Sequence, residues 1–493
     1  MKQFMPFALT AGLALATCLA PMAAEETRWD ETFTPEQLKE DFTALYAGLK
    51  SAHANLYVHR SAAAYDTRYR EVFSAFSEPL SRFEAQLAFQ RFAAFGRVAH
   101  ARIEFPAEPY EAYRSAGGGT FPIYPRIVNG TMYVGEDYSG DPRIQAGDEI
   151  VAINGESTAT WLTRTAEHIS ADSPYIAHSL MEFTFPRDLW AVLGPVGSFD
   201  LILKRGDKRR EVRLAATNRE AQQKAAEEQP SRFSLGGNER SFRLIDDQIA
   251  YLRPGPFYHV EQPTRPWDNT AFAAFIDQAF EAITKAGAAH LIIDLRENPG
   301  GDNSFSDLML AWIADEPFRF CAEFLIRSSD EAAASNAARL AQNPDAAESV
   351  STLFAQQYAK VPRGEVFPFD IPYARPRDGA RYQGQVYALI NRHSYSNAVN
   401  VAAIIQDYQL GIVAGEKTAD MATTYGAMET FKLPQSGIEV GFPKAHIIRP
   451  SGDRKTDGVT PDWSLESPIV AGPADAVLAQ LIERIEDQER ATP

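Results

Sequence analysis

The stretch "YALINRHSYSNAVNVAAIIQD", residues 387–407, passes from an apolar, strand-like segment into a helix with an apolar stripe. Three hydroxyl side chains, Ser394, Tyr395 and Ser396, stand at the junction. A serine at such a junction either caps the helix or presents its hydroxyl group for chemistry. This stretch alone leaves both interpretations open.

The sequence around this stretch alternates between predicted strands and helices from residue 241 onward. The strands are "QIAYLRP", "HLIIDLR", "QVYALIN" and "GIVAGE", and the helices are "NTAFAAFIDQAFEAITKAG" and "NAVNVAAIIQDY". This alternation predicts a largely parallel sheet covered by helices. Ligands bind such sheets beyond the carboxyl ends of the strands. We therefore expect the loops 296–303, 392–397 and 417–426 to meet, whereas residues 330–379 break the alternation and are interpreted as an insertion.

The residues before 241 have two other patterns. Residues 34–95 have helical periodicity, with Thr34 predicted as an N-cap and Pro35 at the first helical position. The alternation in "FGRVAHARIEF" predicts a strand that starts near His100, and residues 121–217 are rich in predicted strands and tight turns. The fold class is therefore a multidomain α/β and α+β protein. Its predicted parts are a signal peptide (1–24), a helical bundle (25–98), a β-rich domain (99–217), a linker (218–240) and an α/β core (241–493).

Composition and the first residues limit the possible functions. The chain has 493 residues and a net charge of −17, which argues against nucleic acid as a partner. The first 24 residues combine Lys2, an apolar run and a small-residue cleavage site, and predict an exported protein that is periplasmic or secreted. A lipoprotein signal ending at Cys18 is the alternative, although Thr17 fits it poorly. No other segment is long and uncharged enough to predict a membrane span.

The candidate chemistry lies in the predicted core. The turn "NPGG", residues 298–301, follows a buried strand, and its glycines leave backbone N–H groups that could stabilise an oxyanion. The alternative is an ordinary turn between a strand and a helix. No "HExxH" motif or cluster of histidines predicts a metal site, only Cys321 follows the signal segment, and no cofactor is expected.

Five motifs in register carry a family resemblance. They are "YLRPGPF", "LIIDLRENPGG", "INRHSYSNAVNVAAIIQD", "IVAGEKTA" and "DGVTPD". Their order resembles that of tail-specific serine peptidases, the family of C-terminal processing peptidases and tricorn. The resemblance implies a crotonase/ClpP-like core, a PDZ-type domain around "IQAGDEIVAINGES", and a helical cap. A PDZ-type domain would bind an extended peptide by strand addition.

The resemblance also implies roles for particular residues. Ser396 matches the family nucleophile, and the oxyanion hole would combine the N–H of Asn397 with that of Gly301, or of Gly300 if the turn is set differently. His100 matches the histidine base of the tricorn-like branch. The lysine base of the other branch is missing, because Met421 and Ala422 stand near its position.

In a catalytic triad an acid orients the base, and the resemblance defines this acid less well than it defines the nucleophile and the base. Asp457 is the carboxylate nearest to the family position and could hydrogen-bond to a histidine, as the third member of a triad does. The alternative is a turn aspartate beside Gly458.

These residues predict an exported serine endopeptidase that acts on unfolded or tail-presented polypeptides. Two alternatives remain open: a non-catalytic protein that binds peptides or hydrophobic ligands on the same scaffold, and an esterase-like acyl hydrolase.

Overall fold

The computed structural model describes residues 29, 31–228, 239–262, 265, 267–342, 350–470, 472 and 474–491. The predicted signal segment with Cys18, and residues 229–238 of the predicted linker, lie outside the described residues. Within the described part of the chain, no helix is both long enough and apolar enough to cross a lipid bilayer.

A helical unit opens the described chain. Its elements are β1 (Thr32–Phe33), α1 (Pro35–Ala52), α2 (Ala62–Ala75), β2 (Leu80–Ser81), α3 (Arg82–Ala94) and α4 (Ala107–Ser115). The capping prediction is confirmed, because the Thr34 side chain accepts the N–H of Gln37 and the Gln37 side chain accepts the N–H of Thr34. The strand predicted near His100 is wrong. His100 lies in a turn, and Arg102 forms only a single bridge to Gly441.

A β-rich unit follows. Its elements are β3 (Ile123–Val128), β4 (Thr131–Asp137), β5 (Glu149–Ile153), β6 (Glu156–Ser157), α5 (Thr158–Ala166), α6 (Pro174–Leu193), β7 (Ser198–Arg205) and β8 (Lys208–Ala215). The main path of its sheet is β3-β4-β5-β7-β8, so β3 and β8 are the edges. Tight turns at Asn129-Gly130 and Gly206-Asp207 join β3 to β4 and β7 to β8 in two hairpins, which confirms that residues 121–217 are rich in strands and tight turns. In the predicted linker, α7 (Arg219–Glu228) is a helix.

The rest of the chain forms the core. Its elements are β9 (Ser241–Leu244), β10 (Ile249–Arg253), α8 (Thr270–Ala286), β11 (His290–Asp294), α9 (Asn303–Leu310), β12 (Glu323–Arg327), α10 (Asp330–Gln342), α11 (Val350–Lys360), β13 (Val366–Pro368), β14 (Gln385–Ile390), α12 (Asn397–Asp407), β15 (Ile412–Gly415), β16 (Thr424–Lys432), β17 (Glu439–Ile448), β18 (Trp463–Ser464) and α13 (Ala476–Ala491).

The main sheet confirms the predicted largely parallel topology. Its order is β18-β15-β14-β11-β10-β9, and every neighbouring pair is parallel except β10 with β9. Helices α8, α9 and α12 contribute to the apolar core on one side of this sheet, and α13 contributes to the core on the other. The carboxyl ends of β11, β14 and β15 therefore lie at one edge of a sheet that is covered on both faces.

A second sheet joins the helical unit to the core. It is antiparallel in the order β13-β12-β17-β16, and its apolar residues share one hydrophobic cluster with α1 and α3. The segment 330–379, interpreted above as an insertion, supplies α10, α11 and β13 to this packed layer. The β-rich unit also packs on the core, because Ala419 and Met421 belong to its hydrophobic cluster.

Candidate active site

The loop between β14 and α12 holds the two serines that could either cap the helix or present a hydroxyl group for chemistry. Ser394 is structural: its buried hydroxyl donates to the Leu295 carbonyl at 2.8 Å and accepts the Asn391 N–H at 3.2 Å. Ser396 is the N-cap residue of α12, but its side chain makes no capping hydrogen bond. Ser396 as a residue is partly exposed, and its hydroxyl forms no hydrogen bond with a described residue.

The backbone of Ser396 is strained. Its φ and ψ are 52° and −122°, which an L-residue rarely adopts. Such strain persists only where the surrounding structure over-determines it, and it clusters at functional sites. A strained serine between a strand and a helix is also how hydrolases present a nucleophilic hydroxyl group. The local geometry thus favours presentation of the Ser396 hydroxyl over helix capping.

The double-glycine turn lies directly against this serine. Gly300 has a φ of 86°, and a Cβ added to it would lie 2.6 Å from the Asn397 nitrogen and 2.8 Å from the Ser396 Cβ. Asn298 fixes the turn, because its side chain donates to the Gly255 carbonyl and its own carbonyl accepts the Tyr395 N–H at 3.0 Å. Only glycine allows this approach of the two backbones.

Two backbone N–H groups remain available near Ser396. The Asn397 N–H is in the first turn of α12 and has no partner within the helix. The Gly301 N–H donates to no described group, whereas the Gly300 N–H is occupied by the Asn298 Oδ1 at 2.9 Å. Of the two glycines predicted for an oxyanion hole, Gly301 is therefore the one whose N–H can still donate to an oxyanion.

The loop 417–426 also reaches Ser396. It does so through Asp420, a residue that the sequence did not predict for the site. The Asp420 carboxylate accepts the N–H of Ser396 at 2.6 Å, and its other oxygen, Oδ1, is buried without a described partner. Burial raises the pKa of Asp420 to about 7, the charge of Asp172 adds to this, and the N–H groups of Ser396 and Met421 oppose it. The convergence predicted for the loops 296–303, 392–397 and 417–426 is confirmed.

His100 lies beside this cluster. Its ring is 5.9 Å from that of Tyr395, centroid to centroid, and it is buried. Burial lowers the pKa of His100 to about 4, the charge of Arg102 lowers it further, and Asp172 opposes both. His100 is therefore neutral at pH 7 and able to accept a proton. No hydrogen bond joins it to Ser396 among the described residues.

Asp172 is the carboxylate that the structure places next to the His100 turn. One of its oxygens accepts the Ala99 N–H at 2.9 Å, and the other lies 3.1 Å from the His59 Nε2. It comes from the segment between α5 and α6, which carried no motif. Sequence reasoning had no signal for it.

Asp457, predicted as the orienting acid, is placed elsewhere. Its carboxylate forms ion pairs with Lys417 at 2.5 Å and Lys455 at 3.1 Å and accepts the Gly458 N–H. Two cations and a turn N–H thus occupy it, and no described contact joins it to His100. The geometry favours the turn-aspartate alternative. Lys417 is likewise engaged by Asp457 rather than directed at Ser396.

Known proteins resemble this chain in the sequence of its core and in its fold. Residues 249–465 match the model of Peptidase family S41. No curated protein matches the sequence. Mature CPAF complexed with lactacystin has a TM-score of 0.63 at 15% identity, covering 93% of this chain and 98% of that chain. A mutant CPAF has a TM-score of 0.62 at 15% identity, and mature CPAF has a TM-score of 0.58 at 16% identity. Each of these two matches covers 87% of this chain and 93% of the CPAF chain.

The family match indicates a serine-type peptidase. The match of residues 249–465 to this family model confirms the resemblance to tail-specific peptidases. The likeness to the CPAF structures, at about 15% identity, shows that the fold of the chain as a whole is shared.

Proposed function

We propose that this chain is an exported endopeptidase that cleaves polypeptides through Ser396. In this proposal the Ser396 Oγ attacks the scissile carbonyl carbon while His100 accepts the hydroxyl proton. The Gly301 and Asn397 N–H groups hold the oxyanion. His100 then returns its proton to the leaving amine, and water hydrolyses the acyl-enzyme by the same steps.

The observation that carries this proposal is the geometry of Ser396. A strained, uncapped, partly exposed serine lies against the double-glycine turn. The N–H groups of Gly301 in this turn and of Asn397, the next residue after the serine, have no partner among the described residues. An oxyanion donor of this kind is typically worth about 3 kcal/mol of transition-state stabilisation. A serine with a purely structural role would need neither a strained backbone nor neighbouring N–H groups without acceptors.

The electrostatics around His100 fit the role of a base. A neutral imidazole can take the proton at pH 7, and the nearby Asp172 would stabilise the imidazolium that forms. For proton transfer, His100 and Ser396 must also come within hydrogen-bond distance of each other. Catalytic hydrogen bonds are often long in a free enzyme and shorten when substrate binds.

Polypeptides are the proposed substrates because the family domain is a peptidase domain. Export is proposed on the first 24 residues alone. N-terminal sequencing of the mature protein from its native host tests export: cleavage near residue 24 supports it, and an intact Met1 in the cytoplasmic fraction contradicts it.

The catalytic proposal is tested with an unfolded, carboxymethylated protein and a small activated ester as parallel substrates. We expect internal fragments of the protein, identified by mass spectrometry, and their loss in Ser396→Ala. Ser451→Ala, at an exposed position, is the matched control and should retain activity.

Three outcomes distinguish the functions considered above. Internal cleavage that depends on Ser396 supports the endopeptidase. Turnover of the ester alone indicates an acyl hydrolase. A folded protein that turns over neither substrate would contradict catalysis and favour a binding protein.

A further inference from the structure

A buried ionic cluster connects the β-rich unit to the loop that carries Ser396. Its centre is Glu182 on α6, which is 4% exposed. Around it lie two arginines and a histidine, Arg126 from β3 and Arg392 and His393 from the loop before α12. Arg392 and His393 stand four and three positions before Ser396 in the chain.

Glu182 uses both oxygens to hold this cluster. Its Oε2 lies 2.7 Å from Arg126 Nη1 and 2.9 Å from His393 Nε2, and its Oε1 accepts the Ile127 N–H at 2.7 Å and Arg392 Nη1 at 3.1 Å. Burial by itself would raise the pKa of Glu182, but the hydrogen bond from His393 and the neighbouring positive charges lower it to about 2. The group is therefore a buried anion that is fully paired.

Arg392 is held from both units at once. Besides Glu182, it donates to the Ile127 carbonyl at 2.7 Å and to Glu416, after β15, at 2.5 and 3.0 Å. Planar guanidinium groups with several fixed acceptors have little freedom of orientation. The backbone at Arg392 is thus fixed just before the strained serine.

The same contacts close part of the β3 edge. The outward N–H of Ile127 donates to Glu182, and the carbonyl of Ile127 accepts a hydrogen bond from Arg392. Pro125 has no N–H to donate. A peptide that adds to an edge strand needs these groups free. At Ile127, the edge is therefore occupied by Glu182 of α6 and by Arg392 of the loop before α12.

We propose that Glu182 is a positioning residue that holds the nucleophile loop through Arg392 and His393, so that the β-rich unit clamps this loop instead of receiving a peptide along β3. The proposal rests on the proposed function, because it assigns the clamped loop to catalysis. It names no new group that touches the substrate.

The test compares Glu182→Gln with Glu429→Gln. Glu429 on β16 is a close match, since it is 3% exposed and its pKa is likewise lowered to about 2. It pairs with Lys444 on β17 and with Arg339 on α10. Both substitutions leave a buried cation cluster short of one negative charge. Only the first affects the loop before Ser396.

Two readouts are measured on the full-length protein. Hydrogen exchange of the peptide covering residues 391–397 should become about tenfold faster in Glu182→Gln and remain unchanged in Glu429→Gln. The rate of labelling by a fluorophosphonate should fall about 10- to 100-fold in Glu182→Gln alone, since small misplacements at a reacting centre cost this much. With the ester substrate, the fall should appear in kcat with KM unchanged.

The outcomes separate this inference from the proposed function. Unchanged exchange in folded Glu182→Gln, or equal losses in both variants, overturns the positioning role. Faster exchange of the loop in a protein whose wild type is never labelled supports the clamp and rejects the peptidase mechanism. If Glu182→Gln does not fold, Arg392→Lys, which keeps the charge and loses the forked contacts, is measured in the same way.

Discussion

The Gly300→Ala variant tests the contact between the double-glycine turn and Ser396. An added Cβ would lie 2.6 Å from two backbone atoms, the Asn397 nitrogen and the Tyr395 oxygen. Ordinary van der Waals contact begins at 3.4 Å, so the two loops must separate by ~0.8 Å. Misplacement on the order of 1 Å can cost about 10²-fold in rate, and loss of an oxyanion donor about 10²- to 10³-fold.

We therefore expect the second-order rate constant for fluorophosphonate labelling to fall about 10²- to 10³-fold in Gly300→Ala, equivalent to about 3–4 kcal/mol. The variant should also lose stability, because alanine at a φ of 86° costs roughly 1–2 kcal/mol. The assay requires no knowledge of the natural substrate. Urea unfolding measures the change in the free energy of unfolding.

Gly287→Ala separates the two effects. Gly287 caps α8 at a φ of 74°, and among the described residues no atom beyond its chain neighbours lies within 4 Å of the position of its added Cβ. It should lose a similar free energy of unfolding, roughly 1–2 kcal/mol, with no change in the labelling rate. The reasoning is refuted if folded Gly300→Ala labels within threefold of wild type, or if Gly287→Ala loses reactivity to the same degree.

Two further predictions concern titration. Because burial lowers the pKa of His100 to about 4, the acid limb of the pH dependence of kcat/KM should lie near pH 4. Replacement of the base in His100→Ala should lower the rate about 10²- to 10⁴-fold. An acid limb at pH 6.5 would contradict the assignment of His100 as the base. The folded-state pKa of Asp420 is raised from 3.8 to about 7, so its contribution to stability is fully present below pH 3.8 and is lost as the pH rises through 7. Asp420→Asn should therefore gain stability relative to wild type between pH 4 and pH 8, by up to about 4 kcal/mol, in urea unfolding. Parallel pH dependences of the two proteins would show that Asp420 is ionised in the folded state.

The parts of the fold that could be predicted from the sequence depend on local pattern and strand order. Thr34 caps α1 because its side chain reaches an N–H three residues away, and no distant residue is needed. The meeting of the three loops followed from parallel topology, since the carboxyl ends of parallel strands share an edge. That rule also placed Asp420 in a converging loop, so a search for carboxylates there would have found it.

The rest depends on contacts between distant parts of the chain. Asp172 reaches the His100 turn only because the β-rich unit packs against the core. The residues after His100 alternate like a strand, but the backbone finds one partner, Gly441, and turns away. Asp457 is the carboxylate nearest to the family position, but it forms an ion pair with Lys417. Single-sequence patterns do not encode such pairings.

Peptide mapping of the fluorophosphonate adduct tests the role of Ser396 most directly. Folded wild-type protein should carry one adduct, on the Ser396 Oγ, and folded Ser396→Ala should carry none. An adduct on another serine of the folded protein, or no adduct under conditions that label serine peptidases, would contradict the assignment of Ser396 as the nucleophile.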